Sequence, residues 1–153
     1  MPNLLVIAHA PLASALRQVA EHTFPDCAPT LAVLDVSPGM CAEDVETAAR
    51  ALMAEAGQPE WLVLTDVFGA TPCNGVQRLA GERVQVLSGV SVPMLWRTLC
   101  YASQKPLTEL ARRAVQGAVS GIVATPSLPP DESSSPPSPS ATSWVSTHAP
   151  PPS

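Results

Sequence analysis

The feature that most constrains this chain is a short apolar run that recurs four times, each time followed by an amphipathic stretch. The runs are NLLVIA at residues 3–8, TLAVLDV at 30–36, WLVLT at 61–65 and RVQVL at 83–87. Each is rich in branched side chains and nearly continuous in its hydrophobicity. A strand solvated on one face alternates apolar with polar residues; a strand covered on both faces does not. The stretches between the runs read as helices near residues 11–23, 42–56, 72–80 and 93–101. A fifth, near 107–116, leads into a last apolar run, GIVAT, at 121–125. Such alternation predicts an α/β fold: a mainly parallel open sheet with helices on both faces and right-handed crossovers. GIVAT follows a helix and precedes a change of composition, so it is expected as a short edge strand.

That change falls at Thr125–Pro126, beyond which the chain is mostly Pro, Ser, Thr and Ala. Such a segment cannot bury enough apolar area to offset the entropy of ordering it. Residues 1–125 are therefore expected to form one folded domain and residues 126–153 a disordered tail. Trp144–Val145 is the tail's one apolar spot and reads as a passive appendage.

Charged residues make up 14% of the chain and the net charge is -5, with Arg112–Arg113 the nearest approach to a basic cluster. This lacks the electrostatic footprint of a nucleic-acid binder and suits a partner with a basic face. No stretch approaches the ~20 apolar residues that cross a bilayer, and the N-terminus has no signal-peptide pattern. A soluble, cytoplasmic protein with no direct membrane insertion is expected. The four cysteines, Cys27, Cys41, Cys73 and Cys100, form no C-x-x-C pair and have no histidine at metal-ligand spacing. They read as reduced, packed thiols, with no metal and no cofactor.

In an open parallel sheet, reactive groups gather at the carboxyl ends of the strands. There the first run ends in His9, the second reaches Asp35, the third ends in Asp66 and the fourth in Ser88. His9 precedes Pro11, a good first helical residue. It is expected at a strand-to-helix turn, near unsatisfied N–H groups that favour an anion. Unprotonated imidazole is a good nucleophile near neutral pH. Position alone leaves a hydrogen-bonded structural histidine as an equal reading. Asp66 can accept a hydrogen bond from one ring nitrogen, fixing the tautomer and leaving the other nitrogen free to attack. The turn Gly69-Ala70-Thr71-Pro72 opens the next helix, with Thr71 as expected N-cap and Pro72 as first helical residue. Its backbone N–H groups and the Thr71 hydroxyl suit phosphoryl oxygens; a plain capped helix start is the other reading. Ser88 and Ser91 either line the pocket or solvate their loop. Asp35 is either a rim carboxylate or a turn former before Ser37-Pro38-Gly39. His22, closing the first helix, reads as structural and His148, in the tail, as inert. Met53, Met94 and Trp96 read as filling of core or surface. Nucleotide-binding glycine loops and the G-x-S-x-G elbow are missing, which makes another protein the expected phosphoryl donor.

Three segments resemble the mannose-type IIA family of the phosphotransferase system. The opening LLVIAHAPLA, residues 4–13, resembles the start of that domain. TDVFGATPCN, residues 65–74, resembles its TD-[LV]-FGG-[ST]-P-x-N signature. SGVSVPML, residues 88–95, resembles its third, in which asparagine is common where Ser91 stands. The resemblance spans residues 3–125, with Ala70 in place of a usual glycine. It implies a parallel sheet with an antiparallel last strand exchanged in a homodimer. It also implies a phosphotransferase in which His9 accepts phosphate from HPr, the phosphoryl donor, and passes it to a IIB component of a sugar permease. Asp66 would orient the imidazole, and Gly69, Ala70, Thr71 and Ser88 would bind the phosphoryl group. A regulatory carrier, or a phosphocarrier of dihydroxyacetone kinase, shares fold and nucleophile. A flavodoxin-like binding module with no covalent step is the alternative from another class.

Overall fold

The computed structural model describes residues 2–131. Four parallel strands, β1 (Asn3–His9), β2 (Ala32–Val36), β3 (Trp61–Thr65) and β4 (Val84–Ser88), form one sheet in the order β2-β1-β3-β4. The register sets Leu5 beside Ala32 and Val63, and Ile7 beside Leu34 and Thr65. His9 is level with Val36, and Thr65 with Ser88. The central strands are the most apolar: Leu4 to Ala8 of β1 and all of β3 are buried.

Five helices cover the sheet: α1 (Leu12–Thr23), α2 (Ala42–Ala56), α3 (Thr71–Gln77), α4 (Val92–Thr98) and α5 (Leu107–Ser120). The side-chain period of two in a strand assigns alternate residues to opposite faces. Leu4, Val6, Leu62 and Leu64 pack with Leu16, Leu95 and Leu110 of α1, α4 and α5. Leu5, Ile7, Trp61 and Val63 pack with Val45 and Ala49 of α2 and Val76 of α3. Each large aliphatic side chain so buried stabilises the fold by roughly 1.5–3 kcal/mol relative to exposure. Met94 lies in the first core and Met53 flanks the second. Trp96, half exposed, meets Phe24 edge-to-face.

Several expectations need correction. Residues 121–125 form no strand: α5 runs on to Ser120, and Ile122 is 84% exposed. All strands among the described residues are parallel, and β2 and β4 are the outer strands of the sheet. Residues 93–101 are two elements, α4 and a 3-10 turn at Leu99–Tyr101. Cys27 and Cys100, expected as free thiols, form a disulfide with 5.5 Å between their Cα atoms. It joins the 3-10 turn before β2 to the one after α4. Residues 73 apart carry no pairing signal in sequence, because connectivity depends on the fold. Cys41 and Cys73 are free. Residues 126–131 contain no helix or strand; Trp144, Val145 and His148 lie outside the described residues.

Candidate active site

The carboxyl ends of β1 and β3 are adjacent because these strands pair, so His9 and Asp66 meet although 57 residues separate them. Asp66 Oδ2 accepts from the His9 backbone N–H at 2.9 Å and lies 2.7 Å from Nδ1 of the ring. Its Oδ1 accepts from the Val67 N–H at 2.8 Å. The carboxylate is 11% exposed and the imidazole 55%. Burial pushes the Asp66 carboxyl up. Hydrogen bonds from the His9 amide and ring and from the Val67 amide, with the charge of His9, outweigh it and hold the group below the usual carboxylate range. An anionic Asp66 selects the tautomer with hydrogen on Nδ1. Nε2, which takes no partner among the described residues, then carries the lone pair at an exposed position.

The backbone of Asp66 is held as firmly as its side chain. Its carbonyl accepts from the Gly89 N–H at 2.9 Å, and Thr65 O accepts from Val90 N–H at 2.9 Å. Gly89 has φ +88, a conformation that L side chains rarely adopt. A glycine after β4 thus supports the aspartate after β3.

The β3–α3 turn follows Asp66 directly. Gly69 has φ +84, and its carbonyl accepts from Asn74 Nδ2 at 3.0 Å. Thr71 is the first residue of α3 rather than its cap; Ala70 occupies the cap position, without a side-chain bond. Pro72 is accordingly second in the helix, where its missing N–H costs nothing. Beneath the turn, Ser88 Oγ lies 3.3 Å from both Thr65 Oγ1 and Cys73 Sγ. Burial pushes the Cys73 thiol up, but hydrogen bonds from Gln77, Ser88, the Gly69 backbone and Thr65 bring it below the usual thiol range. Ser91 neither lines a pocket nor merely solvates its loop: it caps α4, its Oγ accepting from Met94 N–H at 3.3 Å. Val67 and Phe68 stand exposed beside Asp66.

On the other flank of β1, α1 starts at Leu12, with Pro11 at its cap position and the Ala10–Pro11 peptide cis. Asp35 is neither a rim carboxylate nor a turn former. Its carboxylate accepts from the Ser14 N–H at 3.1 Å and from the Ser14 hydroxyl. One of the amides expected near His9 as an anion site is therefore already taken. Among the described residues no cluster of His, Cys, Asp and Glu suits a metal ion, and no helix is long and apolar enough to cross a membrane.

An open parallel sheet with a carboxylate-held, exposed histidine at its carboxyl edge defines a class of α/β protein built to present one imidazole. Residues 3–115 match the family described as the PTS system fructose IIA component, EIIA-man. The chain belongs to that family, and with it has a role in the sugar phosphotransferase system. The fold is shared with the phosphotransferase component EIIA from Streptococcus agalactiae, at 24% identity and a TM-score of 0.72, over 82% of this chain and 98% of that one. It is shared also with the mannose/sorbose-specific IIA subunit from Enterococcus faecalis, at 24% identity and 0.70, over 84% and 97%. The PTS IIA protein associated with the fucose utilization operon of Streptococcus pneumoniae matches at 26% and 0.61, over 75% and 89%. No curated protein sequence matches the chain.

Proposed function

We propose that His9 carries a phosphoryl group on Nε2, taking it from the phosphohistidine of HPr and passing it to a separate IIB component or holding it as a regulatory signal. The observation that supports this most is the 2.7 Å contact between Nδ1 and Asp66 on a ring that is otherwise open to solvent. The Nε2 lone pair attacks phosphorus, and the donor's P–N bond breaks with its electron pair returning to the donor imidazole. Nδ1 keeps its proton, so positive charge builds on the His9 ring, where the Asp66 carboxylate stabilises it. At the turn Gly69-Ala70-Thr71, Thr71 offers its backbone N–H and hydroxyl to the phosphoryl oxygens, whereas the Ala70 N–H is donated to Val67 O at 3.3 Å. Ser88 supports that turn from beneath through Cys73. No organic cofactor is needed. Val67 and Phe68 offer an apolar rim to an incoming protein.

The same reading places the chain in the cytoplasm, beside a membrane permease, and makes it a homodimer whose residues 121–125 pair with the partner subunit. The exposed Ile122 is the kind of unpaired apolar position that such exchange would cover. Purified chain mixed with phosphoenolpyruvate, enzyme I and HPr should acquire an acid-labile, base-stable phosphoryl group. His9→Ala should abolish it and His22→Ala should leave it intact. Labelling that survives in His9→Ala would remove the proposal.

A further inference from the structure

The segment from His9 to Ser14 carries the ring and has few holds of its own. Pro11, at the cap position of α1, has no N–H and offers no side-chain cap. Residues at such a position usually cap their own helix from within the loop. Here the cap comes from another strand. Asp35, next to the end of β2, accepts from both the amide and the hydroxyl of Ser14, 21 residues away in sequence. One residue further along β2, the Val36 carbonyl accepts from the Ala10 N–H at 2.9 Å. On the opposite flank, Asp66 holds the His9 amide and ring. The segment is thus strung between the two strands that flank β1, with one carboxylate pulling from each side.

A cap within the loop would satisfy α1 equally well but would leave the turn free to swing as a unit with its helix. A cap from β2 fixes the turn to the sheet. Asp35 points to the face covered by α1, as the alternation along β2 with Val33 requires, so it cannot reach its partner unless α1 is docked. Its charge also suits the positive end of a twelve-residue helix. We infer that Asp35, acting through Ser14, is a positioning residue for His9: it holds the β1–α1 turn so that Nδ1 faces Asp66 and Nε2 faces outward. The inference rests on the phosphocarrier reading for its kinetic consequence, but its structural consequence can be read without any phosphoryl donor.

The test uses the full chain and its Asp35→Ala, Asp35→Asn, Ser14→Ala and Ser14→Thr variants, with ¹⁵N-labelled histidine. Followed across a pH series, the His9 nitrogen shifts report which nitrogen bears the proton when the ring carries a single one. The parent should show hydrogen on Nδ1. Asp35→Ala should give a mixture of tautomers and slow labelling from phospho-HPr by ~10-fold, the scale expected for a modest misplacement of a reacting group. Asp35→Asn, which keeps an oxygen acceptor for the Ser14 amide, and Ser14→Ala should fall between. Ser14→Thr, which restores the hydroxyl, should return toward the parent. Melting temperatures taken in parallel separate positioning from folding; if Asp35→Ala does not fold, Asp35→Asn and Ser14→Ala carry the same comparison. Variants that melt earlier yet keep the parental ring signal and labelling rate would show that Asp35 only anchors a helix, and would overturn the inference. A changed tautomer in a chain whose parent takes no phosphoryl group would uphold the positioning role and sink the phosphocarrier reading instead.

Discussion

The two ends of the sheet are built for different tasks. At the carboxyl edge, side-chain hydrogen bonds link neighbouring elements: His9 to Asp66, Ser14 to Asp35, Thr65 and Cys73 to Ser88. Each joins residues that are not helical neighbours, and the ring they surround is half exposed. At the amino edge the links are of closure. Asn3 N–H donates to Glu60 O, Trp61 N–H to Arg83 O, and the Trp61 indole to Gln58 O. The Cys27–Cys100 disulfide lines a cavity of about 280 Å³ there, together with Asn3 and Gln58. Bonds at one end orient groups that solvent can reach; bonds at the other tie down the entry of strands. The contrast teaches that stability and chemistry are separable in this fold along the strand axis, so changes at the two ends should have different readouts.

The largest effect on stability is expected at the amino edge. Replacing Cys27 and Cys100 together by Ser should cost about 4 kcal/mol, the chain-entropy value for a closed loop of this size, since 73 residues separate the two cysteines. Urea denaturation checks the cost, and labelling of the folded variant should proceed at the parental rate. A slower rate at unchanged stability would break the contrast.

At the carboxyl edge the effect should appear in chemistry. Asp66→Asn should slow phosphoryl acceptance by ~10²-fold, as loss of a positioned electrostatic partner does, equivalent to about 2.7 kcal/mol of barrier. Rapid-quench labelling measures it. The same residue has a pH signature. Its carboxyl is depressed in the folded chain because hydrogen bonds from His9 and Val67 exceed the opposing effect of burial. The stability it contributes is therefore complete above the usual carboxylate range and lost as pH falls through its lower folded value. Asp66→Asn should remove that part of the acid destabilisation, and a variant whose acid unfolding matches the parent would show that the carboxylate is not held as described. A smaller effect is expected at Ser91→Ala, which removes the cap of α4 and should cost about 1 kcal/mol without altering the labelling rate.

The strands were legible because burial on both faces leaves a continuous apolar signal, strongest in β1 and β3, where no polar residue interrupts Leu4–Ala8 or Trp61–Leu64. His9 and Asp66 were legible for a related reason: each is a polar residue that closes such a run, and both runs end at one edge of a parallel sheet. The roles of Asp35, Ser88 and Ser91 were not. Asp35 needs β2 to lie beside β1 with α1 on the face it points to, and Ser88 needs β4 beside β3 with α3 behind it. Strand order is a property of crossovers, and a pattern of apolar runs does not encode it. Helix starts at prolines were misread by one residue, because Pro11 sits at the cap of α1 and Pro72 one place inside α3. The apolar run at 121–125 has strand composition but forms no strand.

The proposed transfer turns on which nitrogen of His9 takes the phosphoryl group. Asp66 occupies the side of Nδ1, and among the described residues Nε2 takes no partner, which leaves it open to an incoming donor. Phosphorylation of ¹⁵N-histidine-labelled chain by phospho-HPr, followed by phosphorus–nitrogen coupling in the NMR spectrum, identifies the bonded atom. The predicted result is a single phosphohistidine at His9, coupled through Nε2, with the proton retained on Nδ1. Coupling through Nδ1, or a phosphoryl group on any other residue, would contradict the site described here.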